Sequence, residues 1–218
     1  MSIRARYEKE LKNVFEKLVL MCRYIETAIE KCVKALVERN FELAREVREE
    51  DKLINEMERD IEHTCLKILM MEHPVASDFR EVSAALKMIT DLERIGDQAR
   101  DIADITTQFD DAEYIQKLDH IPRMAVIVIQ MVKDGVQAYI NRDLALARTL
   151  DKTDDKVDEL FNVVMSDLTA LIRNDPENAE QAIRFMMITK YLERIGDHAV
   201  NIGEWVEYAI TGSHPKKV

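Results

Sequence analysis

Apolar residues recur every three or four positions along almost the whole chain, the spacing of one face of an α-helix. Val47, Ile54, Ile61, Cys65 and Ile68 make one such stripe, and Leu150, Val157, Phe161, Val164, Leu168 and Leu171 make another. Read together with the helix-breaking residues, the pattern predicts six helices, at about 7–38, 41–72, 77–107, 124–140, 143–173 and 177–210. Pro74 closes the second, Ser77 is a candidate N-cap for the third, and Asp119 is a candidate cap for the fourth with Pro122 in its first turn. Asn174-Asp175-Pro176 stops the fifth, Gly212 ends the sixth, and 213–218 read as a loose tail. The polar stretch 108–119 reads as a linker. Helices of ~30 residues are about 45 Å long, so the expected fold is a bundle of rods.

The rods repeat. Leu92-Glu93-Arg94-Ile95-Gly96-Asp97 recurs as Leu192-Glu193-Arg194-Ile195-Gly196-Asp197, six identities displaced by 100. Asp51, Ile54, Asn55, Glu56 and Met57 echo Asp154, Val157, Asp158, Glu159 and Leu160 at a displacement of 103, which Ala44-Arg45 and Ala147-Arg148 share. Pro74 and Pro176 correspond at 102. The fold class expected is therefore all-α, two tandem three-helix units, divided as 1–110 and 111–218.

Composition narrows the function classes. A formal charge of −11 argues against nucleic acid as the main partner. The greasiest run, residues 124–132, is far shorter than the ~20 residues a membrane span needs, so it reads as a core helix and no membrane insertion is expected. The charged stretch 1–10 does not read as a secretion signal. Cys22, Cys32 and Cys65 fit no paired spacing and read as reduced, buried thiols of a cytoplasmic protein.

The candidate chemistry is acidic. Glu193, Asp197 and Asn201 stand at i, i+4 and i+8 on the sixth helix, and Glu93, Asp97 and Asp101 stand likewise on the third. Stacked like charges repel by a few tenths of a kcal/mol per pair, so each ladder needs a cation or a basic partner. Gly96 and Gly196 lie inside the ladders, where Gly costs ~1 kcal/mol against Ala. They mark either a close approach by a neighbour or ion, or ordinary helix contact. Asp51 and Asp154 each interrupt an apolar stripe, and a carboxylate on a buried seam is expensive unless paired.

If the second and third helices form an antiparallel hairpin, equal rise places Asp51 opposite about Gln98; the same count places Asp154 opposite about His198. Asp51 and Asn55 should then face Glu93, Asp97 and Asp101, and Asp154 and Asp158 should face Glu193, Asp197 and Asn201. Four or five oxygen donors per half suit hard or borderline cations such as iron, manganese or magnesium. The competing reading is an ion-pair network in which Arg94, Arg100 and Arg194 neutralise the acids without metal. A ferritin-like oxidase is excluded, because no Glu-x-x-His pair occurs. No Walker loop, nucleophile elbow or Cys/His pair at catalytic spacing is present, so no enzyme activity is expected.

These motifs resemble the PhoU family of phosphate-uptake regulators. The likeness spans nearly the whole chain, from Tyr7-Glu8-Lys9-Glu10-Leu11 through Asp51–Glu56 and both Leu-Glu-Arg-Ile-Gly-Asp segments to Gln98–Ala103 and His198–Ile202. The resemblance implies an all-α fold of two tandem three-helix bundles side by side, with pseudo-twofold symmetry. It also implies multinuclear metal clusters, iron or zinc in character, on Glu93/Asp97 and on Glu193/Asp197, with Asp154/Asp158 facing the second pair. Asn55 departs from that pattern, standing where Asp158 has an acid. Family members are adaptors that link a phosphate ABC transporter ATPase to a sensor histidine kinase, repress the phosphate-starvation response and commonly form homodimers. A bundle-type metal-handling protein and a metal-free structural adaptor are the alternatives.

Overall fold

A computed structural model describes residues 3–71, 75–109, 113–115 and 119–214 of the 218-residue chain. Its helices are α1 (Ile3–Glu38), α2 (Phe41–Met71), α3 (Ala76–Thr106), α4 (His120–Asn141), α5 (Leu144–Ala147), α6 (Thr149–Asn174), a 3-10 turn (Pro176–Asn178) and α7 (Ala179–Thr211). The six predicted rods are present, with one correction. The fifth is interrupted at Arg148 into α5 and α6. There the carbonyl of Ala147 approaches Gly203 of α7, and Arg148 turns out to pair with Glu207 at 2.6 Å. Smaller differences lie at the caps. Helix α3 begins at Ala76 after Val75 without a side-chain cap, so Ser77 lies inside the first turn, and Asp119 makes no cap bond to α4. Pro74 and the tail 215–218 lie outside the described residues, as do 110–112 and 116–118 of the expected linker.

The duplication extends to the turns. After α1 the chain reverses through Arg39 at φ 53°, Asn40 N–H donates to Ala35 O at 2.8 Å, and Asn40 Oδ1 accepts from Leu43 N–H at 3.0 Å. After α4 it reverses through Arg142 at φ 54°, Asp143 N–H donates to Ala138 O at 2.9 Å, and Asp143 Oδ1 accepts from Leu146 N–H at 2.9 Å. Each turn thus ends one helix with a left-handed residue and starts the next with an Asx cap. All four positions differ by the same 103 that relates Asp51 to Asp154.

Helices α1–α3 pack as one bundle, and α4, α6 and α7 as the other. The bundles meet along α3 and α7, which run antiparallel. Arg80 lies beside Gly212, Lys87 sits over the Trp205 ring, Asp91 bonds His198 and Asn201, and Asp101 lies close enough to Tyr191 to perturb it. The Asp91–Asn201 and Asp101–Tyr191 pairs exchange under the displacement of 100, which centres the pseudo-twofold at Gly96 and Gly196. Leu92, Ile95, Ala99 and Ile102 are fully buried on α3, and Leu192, Ile195, Ala199 and Ile202 are fully buried on α7. A second seam joins α1 to α4, where Lys133 pairs with Glu26 at 2.7 Å and Phe15 packs edge-on to Tyr139.

Gly203 marks a close approach of backbone to backbone in the second bundle. A Cβ there would lie 2.9 Å from Ala147 O and 2.9 Å from Leu150 Cδ1. Ala is the better helix former by ~1 kcal/mol, but forcing apart a packed contact costs about 1–3 kcal/mol. Gly203→Ala is therefore expected to lower the unfolding free energy by about 1 kcal/mol, read as a lower urea midpoint at unchanged slope; a rise in the midpoint would show that the approach is not tight.

Candidate metal centre

The two hairpins fall into the register that equal rise predicts. Ile54 of α2 packs over Gly96, so that a Cβ on Gly96 would lie 3.0 Å from Ile54 Cδ1. In the second half the residue over the glycine is the aspartate itself. Asp154 Oδ1 lies so close above Gly196 that a Cβ would overlap it. Gly96 thus serves helix packing, whereas Gly196 makes room for a carboxylate.

Around Asp51 the acids are bound by arginine. Asp51 is 8% exposed, and its Oδ2 accepts from Arg100 Nη1 at 3.2 Å and from Asn55 Nδ2 at 3.1 Å. The same Arg100 Nη1 donates to Asp97 Oδ1 at 2.6 Å, and Arg100 Nη2 donates to Asp101 Oδ1 at 3.1 Å. Arg94 donates to Asp97 Oδ2 at 3.1 Å and lies 3.5 Å from Glu93. Burial still raises the Asp51 pKa above the ordinary carboxylate range, with Arg100 opposing it. Asp51 Oδ1 has no hydrogen-bond partner. Glu93 is raised by burial and by Asp97, and Glu58 by burial and Glu62, with Asp97 a further contributor to Glu58. Glu58 is thus a member that the sequence reading missed. It lies seven residues beyond Asp51, two helical turns along the same face.

Around Asp154 there is no such partner. Asp154, Asp158 and Asp197 make no side-chain hydrogen bond or ion pair among the described residues, and Arg194 makes no ion pair either. The one basic contact is Lys190 Nζ on Glu193 Oε2 at 2.5 Å. Burial pushes the Asp154 carboxyl up to about 7, followed by repulsion from Asp158, Asp197, Glu193 and Asp151. Asp158 is raised by burial and by Glu193, with Lys190 opposing. The four predicted acids therefore share one electrostatic environment, although nowhere among the described residues do three or more His, Cys, Asp or Glu side chains stand close enough together to enclose an ion as placed.

Asn201 does not belong to this group. Its Nδ2 donates to Asp91 Oδ1 on α3 at 3.2 Å, beside His198 Nδ1 on the same oxygen at 2.9 Å. The reason is geometric: eight residues carry a 3.6-residue helix about 80° beyond two full turns, off the face that meets α6. Asp101 swings the same way, toward Tyr191, and keeps its tie to Arg100. Asp91 is thus a polar anchor between the bundles that the ladder spacing did not reveal.

The cysteines are buried and unpaired, and burial raises Cys22 to about 11 and Cys32 and Cys65 to about 12, which leaves them protonated. No described helix is long and apolar enough to cross a membrane.

The PhoU domain model matches residues 18–106 and 121–206, one copy for each bundle. The chain belongs to the PhoU family. A phosphate-specific transport system accessory protein PhoU homolog of Clostridium acetobutylicum is 33% identical over 207 residues, covering 94% of either chain. Its namesake from Aquifex aeolicus is 34% identical over 186 residues, covering 85% of this chain and 84% of its own. The crystal structure of PhoU from Pseudomonas aeruginosa superposes with a TM-score of 0.90 at 33% identity, over 95% of this chain and 100% of that one. The phosphate transport system regulatory protein PhoU from Streptococcus pneumoniae shares the fold, with a TM-score of 0.90 at 23% identity over 97% of this chain and 100% of its own.

Asp154 carries a pH prediction. An acid whose folded pKa exceeds its unfolded one holds its proton more tightly when folded, so stability falls as pH rises between the two values. For Asp154 that window runs from the ordinary 3.8 to about 7. In chelator-treated protein, Asp154→Asn is expected to remove a loss of about 2 kcal/mol across this window, a figure discounted for solvent screening. Urea unfolding at pH 5 and pH 8 measures it; identical pH dependence in the two proteins would show that Asp154 is not the strained group.

Proposed function

We propose that this PhoU-family chain is an accessory regulator of a phosphate-specific transport system, acting in the cytoplasm as an adaptor. Its partners are the transporter ATPase and a phosphate-sensing histidine kinase, and its effect is to repress the starvation response when phosphate is plentiful. The observation that carries this reading is full-length kinship: relatives named for that accessory role align with both bundles. The acidic surface of a chain with net charge −11 suits a basic face on such a partner. Self-association as a homodimer is part of the same proposal, tested by sedimentation.

The regulator binds metal in its second half. Asp154, Asp158, Glu193 and Asp197 would hold a cation, iron or zinc first, with manganese or magnesium as alternatives. The donor set fits: all ligands are oxygen, Asp154 Oδ1 is buried without a partner, and Gly196 leaves space around it. The exposed side chains of Asp158 and Asp197 are free to rotate toward a common ion. The metal supplies the positive charge that this seam lacks, and α6 and α7 are tied together through it. The first half does not fit in the same way, because arginine already takes its oxygens.

Two measurements test the proposal. Pull-down with the transporter ATPase is expected to retain the chain, and failure to bind it, together with unchanged starvation-gene expression in a deletion strain, would remove the adaptor reading. Glu193→Ala combined with Asp197→Ala is expected to abolish bound metal in elemental analysis while helicity stays near native. Stoichiometric metal surviving that double change would reject the ligand assignment.

A further inference from the structure

We propose that the duplicated sites have diverged in what supplies their positive charge, so that Arg100 serves the first half as a built-in cation and only the second half calls for a metal ion. The part concerning the second half rests on the metal reading above; the part concerning the first stands on the contacts of Arg100 alone.

Two differences between the repeats act in the same direction. Val200 stands at the repeat position of Arg100, and Asp158 stands at that of Asn55. Both residues of the first half donate hydrogen bonds to the same buried oxygen, Asp51 Oδ2. Their counterparts in the second half can donate none: Val200 is aliphatic and Asp158 is an acceptor when ionised. Asp154 Oδ1 is left buried without a donor among the described residues.

The guanidinium also sits where an ion would have to sit. One nitrogen, Arg100 Nη1, bridges Asp51 of α2 and Asp97 of α3 at 3.2 and 2.6 Å, while Nη2 holds Asp101 at 3.1 Å. A metal bridging the two helices would need the same lone pairs at about 2.0–2.2 Å and would have to displace charge-assisted bonds to three carboxylates. Arginine stays charged at every working pH, so this internal cation cannot be chelated or titrated away. Acids remain around it once the guanidinium is gone: Asp51 is nine-tenths buried, its Oδ1 has no hydrogen-bond partner among the described residues, and Glu93 feels the charges of Asp97, Glu58 and Asp51. Removing the guanidinium should therefore expose a cation site in the first half.

The test uses the full chain with Zn²⁺ and Mn²⁺ as probes, reading bound metal per chain by elemental analysis and affinity by titration calorimetry. In the Glu193→Ala, Asp197→Ala background, adding Arg100→Val is expected to restore metal binding, with at least tenfold tighter Zn²⁺ affinity than the background protein. Arg100→Gln, which keeps a polar stem without the charge, is the second variant should Arg100→Val fail to fold. Glu93→Ala with Asp97→Ala, in the otherwise unchanged chain, is expected to hold as much metal as the parent. No gain from loss of Arg100 overturns the inference, as does metal lost on removing Glu93 and Asp97. Should the parent chain bind neither ion while the Arg100 variants do, the metal reading of the second half fails and the role of Arg100 stands.

Discussion

A carboxylate on the seam between two packed helices has to find a positive partner or give up its charge, and this requirement acts twice in the chain. Asp51 and Asp154 occupy slots that the surrounding stripe would fill with Val, Ile or Leu. Desolvation penalises their ionised form, and the neighbouring ladders of Glu and Asp add repulsion. Much of the polar architecture follows from how each half meets that demand. The first half brings Arg100 and Asn55 to the seam, whereas the second opens space at Gly196 and leaves its aspartate without a donor.

The duplication makes the comparison well controlled. Both halves use the same reverse turn, a left-handed arginine followed by an Asx cap, and both place the aspartate opposite the glycine–aspartate step of the ladder helix. The turns are thus shared, and among the differences at the two sites are two side-chain exchanges, Asn55 against Asp158 and Arg100 against Val200. Antiparallel α3 and α7 then join the two bundles, with Leu92, Ile95, Leu192 and Ile195 fully buried on them. Asp91 adds a polar anchor to that contact by accepting from Asn201 and binding His198.

Register was readable from residue spacing because two straight helices joined by a short turn rise equally, so counting outward from the turn places Asp51 level with Gln98, within three residues of both Asp97 and Arg100 in the structure. The repeated hexapeptide makes the duplication readable as well. What spacing could not show is where long side chains go. Arg100 was one of three arginines near the acids, and only packing shows that it holds Asp51, Asp97 and Asp101 while Arg194 holds none of its neighbours. The i+8 position was misread for a related reason: a ladder counted in fours drifts around a helix of 3.6 residues per turn, which carries Asn201 to α3. The break at Arg148 was hidden because the residues around it are good helix formers, and the interruption sits where the chain meets Gly203 of α7.

Under the proposal above, arginine satisfies one seam aspartate and a metal ion would satisfy its duplicate. Crystals of protein purified without chelator, with anomalous scattering recorded at the iron and zinc edges, address it directly. An anomalous peak is expected within about 2.0–2.6 Å of Asp154 Oδ1, shared with Asp158, Glu193 or Asp197, and the guanidinium of Arg100 rather than a peak beside Asp51. Equal peaks at both aspartates, or a peak at Asp51 alone with Arg100 turned out to solvent, would contradict it.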